Sequence, residues 1–326
     1  MKILVAGGAG YVGSVLVPNL IEHGYEVDVI DLLWFGNKLP NNVKLIKKEL
    51  FKCKKEEFQG YDQVVFLAGL SNDPMAEYDP TKNFVYNGAL PSYLAYISKE
   101  AKVKRFIYAS SCSVYGYTID QLYDENSPTI SAYPYGISKL QGERGVLQLQ
   151  DKDFSVIALR KGTICGYSPR MRFDLIVNTM FKNAMVNNKI YISNPSIWRP
   201  IVDIRDAVNA YIRAIQANYS INGIFNICSD NFTIGQVGDV VKFEIENRTQ
   251  KKIKMEIDNI KDFRNYKVCW DKAKTYLGYH AQNTLKDIID SLFQHRDEYG
   301  DYENIDFYNI KMFKKLVEES NHDFLI

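Results

Sequence analysis

The chain has 326 residues, with 40 lysines and arginines against 39 acidic residues, so its formal net charge is +1. This balance argues against a nucleic-acid-binding protein with a broad basic surface, although a small local cluster of arginines is compatible with it. Hydrophobic residues make up 46% of the chain and charged residues 24%, which excludes a disordered or fibrous protein. The length suggests about two domains.

The cysteines and the apolar segments point to a cytoplasmic protein. Five cysteines are widely spaced and form no CxxC pair, so we expect neither a disulfide framework nor a metal site. The N-terminal apolar run is too short for a signal peptide, and the sequence has no run of about 18 apolar residues that would predict a membrane helix. We therefore expect no membrane partner and no nucleic-acid partner.

Strand and helix signals alternate over the first half of the chain. Short apolar runs, typical of strands buried on both faces, are followed by segments with helical periodicity. The predicted strands are Lys2–Ala6, Glu26–Asp31, Val43–Lys47, Gln63–Ala68, Arg105–Ser110 and Ser155–Arg160, and the predicted helices are Val12–His23, Pro91–Ala101 and Tyr135–Gln150. This alternation predicts an α/β fold with a doubly wound parallel sheet of the Rossmann type.

The regular alternation ends near residue 165. Residues 167–198 are predicted to be irregular apart from a helix near Asp174–Val186, whereas Ile201–Gln216 predicts the end of a strand and a helix, and Gly223–Cys228 a buried strand. We therefore predict a Rossmann domain over residues 1–166 with later returns near 200–230. A smaller, mixed α/β substrate domain is predicted from residues 167–198 and 231–326, interleaved with the first. The amphipathic tail Tyr299–Ile326 is predicted to pack as a surface helix, with a subunit contact as the alternative.

A glycine loop, Gly7-Gly8-Ala9-Gly10-Tyr11-Val12-Gly13, directly follows the first predicted strand. Gly7 permits a tight turn, Gly10 lacks a side chain that would block a diphosphate, and Gly13 allows the helix to pack closely on the strand. The helix N-terminus then offers free N–H groups to phosphates. Asp31, at the end of the second strand, is able to accept hydrogen bonds from a ribose and to repel a 2′-phosphate, which favours NAD over NADP. A glycine-rich turn and a turn aspartate are the simpler alternatives.

A tyrosine and a lysine lie on one face of a predicted helix. Tyr135 and Lys139 are four residues apart, and Ser110 and Ser111 end the preceding strand at the edge where a parallel sheet presents its ligands. A tyrosine with its ordinary pKa of about 10 is a poor base, but a nearby ammonium and a nicotinamide cation both favour the phenolate. Tyr135 would then remove a hydroxyl proton while hydride leaves for NAD, with Ser111 holding the same oxygen. A surface lysine–tyrosine pair is the alternative.

Taken together, the motifs resemble extended short-chain dehydrogenases/reductases of the nucleotide-sugar epimerase/dehydratase group. The resemblance runs from Lys2 to about Tyr279 and rests on GGAGYVG, Asp31, VVFLAG, Asn87-Gly88, ASSCSVYG, YGISK, RPIVDIRDA and KAKTYLGY, in that order. It implies NAD as the cofactor and a catalytic set of Tyr135, Lys139 and Ser111. With the glycine loop, it predicts the cofactor-binding residues Gly7, Gly10, Tyr11, Val12, Gly13, Asp31, Leu67, Ala68, Gly69, Ser110, Tyr135 and Lys139.

The resemblance also implies a nucleotide-diphospho-sugar as the substrate. Arg199 and Arg264 match the segments in which the family places diphosphate-binding arginines, and two guanidinium groups hold a diphosphate well. Arg170, Arg172 and Asn178 are weaker candidates, each with a solvated loop or a helix start as its alternative. The predicted substrate-binding residues are Ser71, Asn72, Ser111, Thr163, Arg172, Asn178, Arg199 and Arg264.

The loop after the fifth strand limits which of the family's reactions we expect. Family members that act as 4,6-dehydratases carry Asp and Glu where this chain has Cys112 and Ser113, so the resemblance disfavours dehydration. The remaining chemistry is oxidation and reduction at one sugar carbinol, C4, as a 4-dehydrogenase or a 4-epimerase in the synthesis of surface polysaccharide sugars. A 4-ketoreductase is an alternative, and an inactive dinucleotide sensor is an alternative of another class. The resemblance further implies a homodimer or a higher homo-oligomer, formed through the helices Pro91–Ala101 and Tyr135–Gln150.

Overall fold

The computed structural model describes residues 1–258 and 264–320, apart from the side chains of residues 118–120. Its strands are β1 (Lys2–Ala6), β2 (Glu26–Asp31), β3 (Lys44–Lys47), β4 (Gln63–Phe66), β5 (Arg105–Ser111), β6 (Tyr117–Tyr123), β7 (Ser155–Lys161), β8 (Thr163–Cys165), β9 (Lys189–Ser193), β10 (Trp198–Asp203), β11 (Gly223–Ile227), β12 (Asp230–Thr233), β13 (Lys254–Asp258) and β14 (Asn265–Val268).

The α-helices alternate with these strands in the first half and dominate the end of the chain. They are α1 (Gly13–Glu22), α2 (Asp73–Tyr78), α3 (Pro80–Phe84), α4 (Leu90–Glu100), α5 (Pro134–Leu147), α6 (Ile176–Asn187), α7 (Ile204–Gln216), α8 (Ile234–Thr249), α9 (Asp271–Leu277), α10 (Leu285–Gln294) and α11 (Asn309–Glu319). None of the helices in the described ranges has both the length and the apolar character needed to span a bilayer.

A seven-stranded parallel sheet is the centre of the fold, in the order β11-β7-β5-β4-β1-β2-β3. Side chains of β1 alternate between its two faces. Leu4 and Ala6 pack among residues of α4 and α5, while Ile3 and Val5 pack among residues of α1 and α7. Helices on both faces confirm the predicted doubly wound fold. The strand order reverses between β1 and β4, and in such sheets the ligand lies at the carboxyl ends of the strands beside this reversal.

The boundaries of the predicted elements agree with the structure to within a few residues. The helix predicted at Tyr135–Gln150 spans Pro134–Leu147, and the strand predicted at Gly223–Cys228 is the edge strand β11. The prediction of Gln63–Ala68 is too long, because the N–H groups of Leu67 and Ala68 both donate to the carbonyl of Ala6, so the chain leaves the regular ladder there.

The second half of the chain builds a separate hydrophobic cluster. It lies among α6, α8 and α10 and includes Tyr11 of the glycine loop, so this part of the chain packs against the loop. Strands β12-β10-β8 form a small sheet, and β13–β9 and β14–β6 form two pairs. The division into residues 1–166 and an interleaved substrate domain stays a prediction. Of the amphipathic tail, residues 309–319 form α11 and bury Phe313 and Val317, whereas residues 321–326 lie outside the described residues.

Two glycines of the loop differ in the room that surrounds them. A Cβ added at Gly13 would lie 2.2 Å from the carbonyl oxygen of Gly8, whereas one at Gly10 would lie 3.4 Å from its nearest neighbour. We predict that Gly13→Ala lowers the free energy of unfolding by about 1–3 kcal/mol, because α1 must move away from the loop. Gly10→Ala is the matched control and should change it by less than about 1 kcal/mol. Urea unfolding of the cofactor-free protein tests this, and equal losses in both variants would contradict it.

Candidate active site

A cavity of about 430 Å³ lies at the carboxyl ends of the central strands. It is lined by the glycine loop, the ends of β2, β4 and β5, the start of α5, residues 161–164 and part of the segment 170–176. All the predicted cofactor and catalytic residues are among the lining residues: Gly7, Gly10, Tyr11, Val12, Gly13, Asp31, Leu67, Ala68, Gly69, Ser110, Ser111, Tyr135 and Lys139. The predicted substrate residues Ser71, Asn72, Thr163, Arg172, Arg199 and Arg264 also line it.

Asn178, predicted to bind substrate, does not line this cavity. It is fully buried, its Oδ1 accepts a hydrogen bond from the Gly166 N–H (3.0 Å), and its Nδ2 donates to the Arg172 carbonyl (2.8 Å). The prediction of direct substrate contact is therefore not supported by its position, because both ends of the amide hold the backbone before α6. The residue fixes the segment that carries Arg172.

The glycine loop and Asp31 suit a dinucleotide. The Asp31 carboxylate accepts hydrogen bonds from the N–H of Ala9 (3.0 Å) and of Leu33 (2.7 Å), which fixes it against the loop. Gly10 presents no side chain to the cavity, and the first turn of α1 contains no acidic residue, so its positive end is not neutralised locally. These features fit the diphosphate and the adenosine ribose of NAD.

The residues predicted to be catalytic lie around the end of β5. Tyr135 and Ser111 both line the cavity, and the Ser111 Oγ accepts a hydrogen bond from the Ser113 hydroxyl (2.8 Å). Burial raises the pKa of Tyr135 to about 12, while the charge of Arg172 and the hydroxyl of Ser111 act in the opposite direction. Tyr135 therefore needs nearby positive charge to act as a base at neutral pH.

Lys139 is the cation closest in sequence to this tyrosine. It lies one turn further along α5, is buried, and places its Nζ 4.4 Å from the ring centroid of Tyr108. Burial lowers the pKa of Lys139 to about 7, and Glu143 opposes the shift. Its charge therefore responds to the charges that ligands bring into the cavity.

Glu143 fastens the catalytic helix to the sheet. Its carboxylate accepts hydrogen bonds from the Ser110 hydroxyl (2.6 Å) and from two nitrogens of Arg160 (2.6 and 2.9 Å), and both charged side chains are fully buried. Ser110 was predicted to contact the cofactor. Its hydroxyl is already hydrogen-bonded to Glu143, so its remaining atoms are the ones that can face the cavity. The ion pair holds α5, β5 and β7 together at the level of Ser111.

Three of the cavity's arginines contact acidic or backbone oxygens. Arg172 forms a double hydrogen bond with Asp174 (2.8 and 2.9 Å), Arg264 pairs with Asp73, and Arg199 donates to the carbonyl of Arg264. The predicted pair Arg199 and Arg264 is therefore brought together, as a diphosphate site requires.

Several lining residues were not predicted. Asp73 and Asp174 orient arginines, Asn309 comes from the C-terminal helix, and Lys161 donates to the Ser110 carbonyl (2.8 Å) from the strand beside Ser111. For these residues, the sequence offered one feature that could have predicted a contact, the Arg-x-Asp spacing at 172–174. Among the described residues no group of three or more His, Cys, Asp or Glu side chains is placed to hold a metal ion.

Comparison with known proteins identifies the family. The sequence profile of the NAD dependent epimerase/dehydratase family matches residues 3–228. The chain belongs to this family. This confirms the resemblance inferred from the motifs, the enzymatic role and NAD as the cofactor.

Individual relatives of this epimerase/dehydratase are distant. A putative UDP-glucose 4-epimerase of Methanocaldococcus jannaschii is 27% identical over 88% of this chain and 95% of its own. A human dTDP-D-glucose 4,6-dehydratase is 25% identical over 81% of this chain and 79% of its own. The solved structure of MoeE5 in complex with UDP-glucuronic acid and NAD has a TM-score of 0.81, with 23% identity over 91% of this chain and 99% of that one.

The Glu143–Arg160 pair should dominate the stability of the site. We predict that Glu143→Leu lowers the free energy of unfolding by about 3–5 kcal/mol, because it leaves a buried guanidinium uncompensated. The double variant Glu143→Leu/Arg160→Met should recover most of this loss, since neither position then carries a charge. Glu319→Gln, in an exposed pair with Lys315 on α11, is the control and should cost less than about 1 kcal/mol. A double variant as unstable as the sum of both single variants would contradict the prediction.

The lowered pKa of Lys139 should make stability depend on pH. Between pH of about 7 and 10.5 the unfolded chain holds a proton on Lys139 that the folded protein has released, so the free energy of unfolding rises with pH. The contribution is at most about 1.4 kcal/mol per pH unit. We predict that Lys139→Met loses the part of the rise that Lys139 contributes, while the part from the buried Lys161 remains; Lys315→Met, on the exposed face of α11, keeps both. Urea unfolding of cofactor-free protein at several pH values tests this, and parallel curves for wild type and Lys139→Met would exclude it.

Proposed function

We propose that the protein is an NAD-dependent 4-epimerase of a UDP-sugar. One cavity holds Tyr135 and Ser111 together with the Asp31-anchored glycine loop and the arginines Arg199 and Arg264, and this arrangement carries the proposal. It unites a proton-transfer group, a dinucleotide site and a diphosphate site. The UDP-glucose 4-epimerases and UDP-arabinose 4-epimerases among the relatives support the choice of substrate.

The reaction requires reversible removal of a hydroxyl proton at C4. NAD, when bound, supplies a reversible hydride acceptor for that carbon. Tyr135 accepts the hydroxyl proton as the carbonyl forms and returns it when the carbonyl is reduced from the other face. Ser111 receives two hydrogen bonds from Ser113, from its N–H and its hydroxyl, so the Ser111 proton is free to point toward the sugar oxygen or Tyr135.

Nearby positive charge stabilises the phenolate form of Tyr135. Arg172 lowers the pKa of Tyr135 against the effect of burial, and Lys139 adds a second cation when it is protonated. On the substrate side, Arg199 and Arg264 would anchor the diphosphate while the sugar turns over within the cavity. Anchoring the diphosphate is what allows one bound sugar to present both faces in succession.

Dehydration is the less favourable assignment, although a 4,6-dehydratase is among the relatives. Elimination needs an acid and a base beside the sugar in addition to Tyr135. Cys112 is fully buried, and burial raises the pKa of its thiol, while the Ser113 hydroxyl is hydrogen-bonded to Ser111. Neither side chain is suited to proton transfer at neutral pH.

The wider setting is proposed on the sequence resemblance alone. We expect action on surface polysaccharide sugars, a cytoplasmic location and a homodimer or higher homo-oligomer formed through α4 and α5. Tyr96 on α4 and Ile137 on α5 are exposed apolar side chains compatible with such a contact. We further expect the sugar nucleotide to be recognised mainly by residues 167–198 and 231–326.

NMR of a panel of UDP-sugars incubated with the NAD-loaded enzyme tests the reaction. We expect one substrate to convert into a fixed ratio with its C4 epimer, without net formation of NADH. Accumulation of a 4-keto sugar with stoichiometric NADH would replace the epimerase by a 4-dehydrogenase, and a 4-keto-6-deoxy product would overturn the argument against dehydration.

The tyrosine has a sharper test in the same assay. We predict that Tyr135→Phe lowers kcat by about 10²–10⁴-fold, because the proton acceptor is lost, while NAD affinity stays within a few-fold of wild type. Tyr96→Phe, on the exposed face of α4, is the matched control and should retain full activity. Full turnover by Tyr135→Phe would exclude the mechanism.

A further inference from the structure

Arg170 is a buried cation with an incomplete set of partners. The residue is 3% exposed and lines the cavity. Its guanidinium lies 3.4 Å from the ring centroid of Phe35, and Nη2 donates to the Oδ1 of Asn309. Nη1 makes only a long bond of 3.5 Å to the Met171 carbonyl, and Nε has no hydrogen-bond partner in the described part of the chain. A buried guanidinium in this state indicates a missing anion.

Two of the three carboxylates whose charges act on Arg170 are already hydrogen-bonded elsewhere, and the third, Asp306, lies on an exposed residue and forms no ion pair with it. Asp174 is doubly hydrogen-bonded to Arg172, and Asp31 accepts bonds from two backbone N–H groups. Among the described residues, no carboxylate forms an ion pair with Arg170. Burial and the charge of Arg172 lower the pKa of Arg170 to about 9, while Asp174 and Asp31 oppose this shift from a distance.

The location of Arg170 selects the ligand. Its guanidinium packs on Phe35, four residues after Asp31 at the ribose end of the cavity, and it lies two residues before Arg172, whose charge lowers the pKa of Tyr135 at the reacting end. A dinucleotide that reaches from Asp31 to Tyr135 has its diphosphate in the middle. The backbone beside Arg170 also contacts the glycine loop, because the Ser168 hydroxyl donates to the Tyr11 carbonyl (2.7 Å).

The C-terminal helix holds this guanidinium in place. Asn309, the first residue of α11, accepts from Arg170 and donates through Nδ2 to the Ser71 hydroxyl (2.6 Å). Further along the same helix, Phe313 stacks on Trp34 of the loop after β2, with their ring centroids 6.0 Å apart. The tail therefore connects three segments around the cavity: the loop after β2, the loop after β4 and the segment that carries Arg170.

We propose that Arg170 binds the diphosphate of NAD and that Asn309 of the C-terminal helix positions its guanidinium for this contact. The C-terminal helix is then a part of the cofactor site that the family profile, which ends at residue 228, does not include. The proposal depends on the NAD dependence of the family and not on the epimerase reaction. Asn309 acts through Arg170 and is a positioning residue.

Titration of cofactor-free protein with NADH, followed by its fluorescence, tests the proposal without turnover. Arg170→Met should weaken NADH binding by about 10–100-fold, the effect expected for loss of charge-assisted hydrogen bonds, and Arg170→Lys should keep part of the affinity. Asn309→Ala should weaken binding by about 2–10-fold. In the Arg170→Met background, Asn309→Ala should have no further effect, because it acts through the same group. Lys315→Ala, on the same helix, is the control and should bind as wild type.

Two further measurements separate the alternatives. Affinity for UDP, measured calorimetrically, should stay within about two-fold of wild type in every variant, and loss of UDP affinity with unchanged NADH affinity would assign Arg170 to the sugar nucleotide instead. The melting temperature of cofactor-free Arg170→Met should not fall, because an uncompensated buried charge is removed; a large fall would indicate a purely structural residue. Equal effects of Asn309→Ala in both backgrounds would overturn the positioning role.

Discussion

The buried carboxylate of Glu143 is the contact on which the catalytic arrangement depends. It joins the helix that carries Tyr135 and Lys139 to the strand that ends in Ser111, through the Ser110 hydroxyl and the Arg160 guanidinium. Because Glu143 lies one turn beyond Lys139, its charge also opposes the loss of the lysine's proton. A single ion pair thus sets both the geometry of the catalytic residues and part of their electrostatics.

The cavity concentrates charge that the chain as a whole does not have. The net charge of the chain is +1, yet the cavity is lined by several arginines, which are held by Asp73, Asp174 and backbone carbonyls. Carboxylates that orient a guanidinium fix its fork for a bidentate ligand and reduce its desolvation penalty. Arg170 differs from this pattern, since its partners are an amide, an aromatic ring and a carbonyl.

Sequence patterns predicted the sheet, and all the predicted site residues except Asn178 line the cavity, but many other lining residues were not predicted. Continuous apolar runs predicted the strands that are buried on both faces. Glycine spacing predicted where the backbone is closely approached by another segment or by a ligand, because both signals are local properties of the chain. The small strands β8 and β12 to β14 carry weak patterns, and their pairing depends on partners far along the chain. Asn178 was predicted to bind substrate, and the structure shows its amide hydrogen-bonded to the backbone of Gly166 and Arg172 outside the cavity lining, which no local pattern indicates.

The sequence by itself determined the class of fold, and it predicted the dinucleotide loop and the set of Tyr135, Lys139 and Ser111, since each depends on residue type and on the order of motifs along the chain. Only the tertiary structure decided which charged groups act together. It buried Glu143 against Arg160, brought Asp73 to Arg264, and set Asn309 of the last helix against Arg170. Such pairs join residues separated by up to 191 positions, and no local periodicity encodes them. Burial also sets the protonation of the proposed catalytic residues, because desolvation raises the pKa of Tyr135 and lowers that of Lys139.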